Sequence, residues 1–320
     1  MVASKALATG VLVAGLATAS PLQSRASAGC GIEHHAGYNN DTASHHIESG
    51  GYSRNYSVYV PPSYNDDTSK PRALIIDYHG RGGNGYQQST NSQYDKYAAG
   101  QEYLIVYPDG LDGAWQGANY PNTRKTNDLQ FTTDLLARMR TKYCIDDSRI
   151  YASGKSNGGG FVDTLACSDN GDEFAAFGMA AAALYTDTSK DSCSKKRAIL
   201  EAHGDKDGTI PYHPTEDGAG GPLPDISQWV TWWGHRTCGP DAKSQRSGDP
   251  GGYNITTYSC GAYDNVIDHY QIFEGGHCWP DVQGDNADAQ RIAACRREKV
   301  LDFTHVALEF FAKWNMSNAP

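Results

Sequence analysis

The 320-residue chain contains no apolar run long enough to span a membrane. The longest, ALATGVLVAGLATA at 6–19, falls short of the ~20 residues a spanning helix needs. Basic residues are scarce, with 27 Lys and Arg against 37 Asp and Glu and a formal net charge of −10. A nucleic-acid partner calls for the opposite balance, so neither nucleic acid nor membrane is an expected partner. None of the eight cysteines forms a CxxC pair, so zinc-ribbon spacing is missing; no metal or other cofactor is expected. Internal repeats, Ser/Thr/Pro-rich linkers and an appended binding module are also lacking. The 35 Gly and 14 Pro stay well under the ~25–30% of low-complexity chains, and the net charge is too small for a disordered polyelectrolyte. These absences leave a globular fold with ample core, since ~300 residues bury ~75% of their unfolded surface. No obligate protein partner is evident.

The N-terminus reads as an export signal: Lys5, then the short apolar run, then small residues. Ala17-Thr18-Ala19 and Ala26-Ser27-Ala28 are two candidate cleavage sites, and Pro21 to Arg25 fits a short propeptide. Residues 1–28 are thus a leader, and 29–320 a single catalytic domain that is exported and extracellular. An even cysteine count in an exported chain reads as disulfides. Closeness in sequence favours Cys238 with Cys260 and Cys167 with Cys193, while the pairing of the other four stays open. Asn40, Asn55, Asn254 and Asn315 each open an Asn-x-Ser/Thr site, a glycan acceptor in a eukaryotic secretory pathway.

Apolar runs that end in glycine recur along the chain, as in ALIIDYHG (73–80) and YLIVYPDG (103–110). They read as strands buried on both faces. Further strands are expected at 54–60, 149–156, 174–184, 198–204 and 266–273. Helical patterns lie between them at 130–143, 158–167, 226–236 and 303–314. This alternation predicts an α/β fold, a mainly parallel sheet with helices on both faces. Residues 31–50, 205–225 and 239–262 are expected to be irregular, and ligands gather where such loops meet strand carboxyl ends.

Gly154-Lys155-Ser156-Asn157-Gly158 is G-x-S-x-G between an expected strand and an expected helix. In that context the pattern is a nucleophile elbow. A sharp turn pushes Ser156 Oγ out of the sheet, and the small flanking residues let neighbouring chain pass close by. Serine then needs a base. Of eleven histidines, His277 follows the last expected strand and two glycines, which suits the role. His269 sits within that strand as a packing residue, and His79 and His203 end strands as loop supports. Asp207 is preferred as the carboxylate that orients His277, with Asp205 as its rival. The order Ser156, Asp207, His277 is that of α/β-hydrolases. The oxyanion hole would use the backbone N–H of Asn157 and one from HGRGGNG (79–85), either Arg81, the choice here, or Gly82.

Taken together, YHGRGGNG, YPDG, SRIYASGKSNGGG, AHGDKDGTIPY and EGGHCWP resemble the fungal feruloyl esterases of carbohydrate esterase family 1, over roughly residues 30–316. That family includes acetylxylan esterases and lies near the secreted polyhydroxyalkanoate depolymerases. The resemblance implies the same triad, no metal, and hydrolysis of hydroxycinnamate esters on plant cell-wall arabinoxylan or its feruloylated oligosaccharides. Its tannase-like members place a cysteine before the serine, bonded to the cysteine after the histidine. Here Lys155 precedes Ser156, so Cys278 must pair elsewhere or stay free.

A feruloyl group needs an aromatic slot. Trp115, Tyr120, Tyr212 and Trp279 are the candidates, each with ordinary packing as its alternative. Trp229, Trp232 and Trp233 form a helical stripe that reads as core. An acetyl ester would need no slot and stays open. A non-catalytic wall-binding protein on this fold would have no use for all three triad groups.

Overall fold

The computed structural model describes residues 27–120, 126–297 and 299–320. The expected leader therefore lies, but for its last two residues, outside the described part. Among the described residues eleven strands form one sheet, in the order β1-β3-β5-β4-β6-β7-β8-β11-β10-β9, with β2 paired to β3. They are β1 (Gly37–Asn39), β2 (His46–Ser49), β3 (Tyr52–Val60), β4 (Arg72–Tyr78), β5 (Tyr103–Pro108), β6 (Ile145–Lys155), β7 (Ala176–Ala180), β8 (Ile199–Gly204), β9 (Gln245–Asp249), β10 (Tyr253–Cys260) and β11 (Tyr263–Ile272). The central six, from β5 through β4, β6, β7 and β8 to β11, are parallel. Strands at both sides run antiparallel.

The helices are α1 (Gly85–Ser92), α2 (Asp128–Lys142), α3 (Asn157–Ala166), α4 (Ile226–Cys238), α5 (Ala287–Arg291), α6 (Ala293–Arg297) and α7 (Phe303–Lys313). Successive strand residues point to opposite faces, and β4 displays both layers. Tyr78 packs on Phe161 of α3 and bonds Thr132 of α2. Its neighbour Asp77 accepts from Gln88 of α1 and from Ser153. On that second face, Gly178 lies against Phe311 of α7. Trp229 and Trp233 of α4 are buried and donate their indole N–H groups to Asp163 of α3. Two of the three stripe residues are core, and Trp232 is half-buried at its margin. The sheet is thus covered on both faces, as the strand–helix alternation requires.

Two expectations need correction. Residues 239–262 are not one loop: they contain all of β9 and β10, a hairpin continuing the sheet beyond β11. The segment 31–50 supplies β1 and β2. Both are edge elements, and β9 is exposed at every residue, so no apolar periodicity marks it. Residues 205–225 do form a long connection, with one bridge between Gly218 and Gly221.

Four disulfides join Cys30 to Cys144, Cys167 to Cys193, Cys238 to Cys260 and Cys278 to Cys295. The two pairs favoured by closeness in sequence are among them, and Cys278 pairs with Cys295. Of the glycan candidates, Asn40 is exposed, Asn55 and Asn254 are half-buried within β3 and β10, and Asn315 is half-buried with its side chain turned to Ser317. Among the described residues no helix is long and apolar enough to cross a membrane.

Candidate active site

β6 ends at Lys155 and α3 begins at Asn157, so Ser156 is the corner between them. Its backbone is at φ 56°, ψ −121°, a conformation that costs a non-glycine residue about 1–3 kcal/mol. Neighbouring chain holds it there. Ser156 N–H donates to Ala180 O (3.0 Å), and Ser156 O accepts from Gly160 and Ala183 (2.9 Å each). The glycines have a steric reason. A Cβ on Gly158 would stand 2.2 Å from Tyr78 O, and one on Gly154 would stand 2.7 Å from Gly158 C.

The three expected triad residues, distant in sequence, meet here. His277 Nε2 lies 2.8 Å from Ser156 Oγ, and its Nδ1 lies 2.7 Å from Asp207 Oδ2. Asp207 is held from behind, its Oδ1 accepting N–H bonds from Thr209 and Ile210 (2.8 Å each). Its rival Asp205 faces away and accepts from Glu274 N–H (2.8 Å). Burial would raise the Asp207 carboxyl, but contacts with His203 and His277 outweigh it and hold the pKa well below the usual range. Burial depresses the His277 pKa; the Asp207 bond opposes this, and the Lys155 charge adds to it.

A buried polar chain continues past Asp207. His203 Nε2 is 3.4 Å from Asp207 Oδ2 and 2.8 Å from Ile210 O. Its Nδ1 is 2.9 Å from Glu201, whose other oxygen is 2.7 Å from His269. Tyr212 OH closes the chain at His269 Nε2 (2.7 Å). Burial opposes charge here, yet the pairing wins. His203 is raised to about 10, and Glu201 is lowered to about 2. The expectation of His269 as plain packing missed this contact, because no sequence spacing joins β8 to β11.

The loop after β4 passes over the serine. A Cβ on Gly80 would stand 3.3 Å from Ser156 Cβ. Gly82 N–H is engaged by Gly113 O (2.7 Å). The N–H groups of Arg81 and Asn157 find no acceptor among the described residues. The latter sits at the positive end of the α3 dipole. His79 braces the loop, its Nδ1 donating to Gly80 O and its Nε2 accepting from Gly110 N–H.

A cavity of about 480 Å³ opens over Ser156 and His277. Of the four expected slot aromatics only Tyr120 lines it. Its partner is Tyr185, edge-on at 6.0 Å, and the Arg81 guanidinium lies 4.1 Å above Tyr120. The other three are buried elsewhere. Trp115 stacks on Phe161 and donates to His79 O, which makes it a support for the loop. Trp279 donates to Thr304 under α7, and Tyr212 belongs to the chain behind Asp207. Tyr185 was missed because it follows an apolar run that reads as strand, while its ring is fixed by Gly218 and Gly220 of the 205–225 connection. Beyond α1 lies a second cavity of about 650 Å³, lined in part by Tyr38, Tyr59, Tyr86 and Tyr107. Ala287 borders both. Among the described residues, Asp163, Cys167 and Asp187 approach one another as metal ligands would, but the Cys167 sulfur is bonded to Cys193.

No family model matches the chain. Feruloyl esterase C of Emericella nidulans is 28% identical over 241 residues, covering 72% of this chain and 82% of that protein. The chain resembles the fungal feruloyl esterases. A probable feruloyl esterase C of Aspergillus niger is 26% identical over 70% of the chain and 76% of its own length. An acetyl xylan esterase from Aspergillus awamori superposes with a TM-score of 0.51 at 16% identity, over 71% of this chain and 90% of that one. The fold is that of the α/β-hydrolases.

Proposed function

We propose that the protein is a secreted serine esterase that cleaves feruloyl and related hydroxycinnamoyl esters of plant cell-wall arabinoxylan, with residues 29–320 as its catalytic domain. The protein is a carboxylic ester hydrolase. The observation that supports a serine mechanism is the Ser156–His277–Asp207 relay, with contacts of 2.8 and 2.7 Å, and the likeness to feruloyl esterases supports the acyl group.

In this reading Ser156 Oγ attacks the ester carbonyl while His277 Nε2 takes its proton. Asp207 accepts from Nδ1–H, which fixes the tautomer and stabilises the imidazolium. The N–H groups of Asn157 and Arg81 receive the oxyanion; one such donor is typically worth ~3 kcal/mol. The tetrahedral intermediate then expels the sugar oxygen, which takes the proton back from His277. Water, activated by the same histidine, attacks the acyl-enzyme and frees the acid and Ser156. Tyr120 and Tyr185 would flank the ring of the acyl group, and the tyrosine-lined cavity beyond α1 gives the sugar side room.

The test compares methyl ferulate with 4-nitrophenyl acetate, for wild type and Ser156→Ala. Ferulate release that falls by at least ~10³-fold in the variant is expected. Turnover of acetate alone would favour the second reading, an acetyl esterase, which an aromatic wall reduced to two tyrosines also accommodates.

A further inference from the structure

Lys155, directly before the serine, is 9% exposed at its side chain and points into the cavity wall. Its ammonium lies 3.0 Å from Oδ1 and 2.9 Å from Oδ2 of Asp288 on α5, which is 13% exposed. The same carboxylate accepts the N–H of Trp279 (2.7 Å), two residues beyond His277, and Asn91 Nδ2 of α1 (3.1 Å). Asp288 N–H returns a bond to Asn91 Oδ1 (3.0 Å). One carboxylate therefore ties together the end of β6, the histidine loop and α1. The Cys278–Cys295 disulfide fastens the loop covalently to α6.

We infer that the Lys155–Asp288 ion pair positions His277, by clamping the histidine loop to the nucleophile turn, and sets the charge felt by its imidazole. This rests on His277 being the base of the reaction. A buried cation beside an imidazole disfavours the imidazolium, and a carboxylate bound to that cation mutes the effect. Other charged groups around His277 are Asp207 and His203, from β8 and the loop after it, and Arg81 and Arg291, which share the cavity lining. Among these described groups, Asp288 alone bonds both Lys155, which flanks the serine, and Trp279 of the histidine loop. Burial is the main cause of the depressed His277 pKa, and the Lys155 charge adds to it.

The pair makes a signed prediction. Lys155→Gln removes the cation, so the His277 pKa should rise. Asp288→Asn leaves the cation unneutralised, so it should fall. The measurement is ring-proton NMR titration of His277, assigned against His277→Gln, in wild type and both variants. Shifts in opposite directions support the inference; shifts of one sign, or none, overturn it. The kinetic arm uses Lys155→Met/Asp288→Leu, which keeps much of the volume without either charge. Its kcat on methyl ferulate should fall about 10-fold, as a misplaced base requires, with KM within about twofold, and Lys155→Arg should recover most of the loss. A wild-type kcat in the double variant overturns the positioning role. Opposed NMR shifts in a protein that turns over no ester would leave this inference standing and remove the esterase reading instead.

Discussion

Gly80 lies over Ser156, the proposed nucleophile, with little room for a side chain. The methyl of Gly80→Ala would press on Ser156 Cβ at 3.3 Å and sit 3.8 Å from Oγ. Displacement of a reacting atom by even 1 Å costs about 100-fold, so kcat should fall 10- to 100-fold while the melting temperature changes little. A matching loss in stability would show that the loop, and not the serine, yields. Tyr185→Ala opens the aromatic wall. Its cost should appear in KM for methyl ferulate, up to about 10-fold on the ~0.5–1.5 kcal/mol of an aromatic pair, with 4-nitrophenyl acetate unaffected. His277 titrates below its ordinary value because of burial, helped by Lys155 and opposed by Asp207. The acid limb of kcat/KM should therefore lie below the reference of ~6.5. A limb above that value in a pH–rate series would contradict the assignment. At this scale the meeting of Ser156, Asp207 and His277 was legible because each follows a strand end, and strand ends can be read. The slot was not. Trp279 stands two residues from His277, yet its ring runs the other way into α7, and sequence neighbourhood carries no side-chain direction.

The parallel strands were readable because burial on both faces makes their sequences continuous and apolar. α1 was not readable. Its sequence, GYQQSTNS, is polar because it buries Gln88 against Asp77 and Asn91 against Asp288, so its packing leaves no hydrophobic period. The β9–β10 hairpin hid for the reverse reason, having little face to bury. At β8, alternation puts Glu201 and His203 on one side, and β11 brings His269 directly opposite Glu201. This buried group has a pH signature. Glu201, depressed to about 2, adds stability that is complete above its unfolded pKa of ~4.3 and drains away as pH falls towards 2. His203, raised to about 10, adds stability that is complete below its unfolded pKa of ~6.5 and is lost as pH rises towards 10. Thermal melting across pH 3 to 9 should show highest stability between about 4.5 and 6.5. In Glu201→Gln the acid-side decline should flatten, and an unchanged profile would deny the pair its charges.

Across the whole molecule the disulfides divide by reach. Cys30–Cys144 closes a separation of 114 residues, whereas Cys278–Cys295 closes 17. Loop closure in the unfolded chain predicts about 4–5 kcal/mol for the first and ~3 kcal/mol for the second. Urea unfolding of the paired serine variants should rank them in that order. Activity should rank them in reverse, since the short bridge tethers the histidine loop and the long one fastens the N-terminal segment to the end of α2. Equal losses of activity at full stability would refute that division. The sequence hinted at Cys238–Cys260 and Cys167–Cys193 and left open both Cys278–Cys295, though it is the shortest, and the long bridge, whose halves meet only through the fold. The turn at Ser156 bears on how such a molecule could be bred for endurance. Glycine takes that left-handed conformation without strain, so Ser156→Gly should melt above Ser156→Ala. A lineage selected for surviving heat alone would be drawn towards that replacement, and its hardiest descendants would be inert.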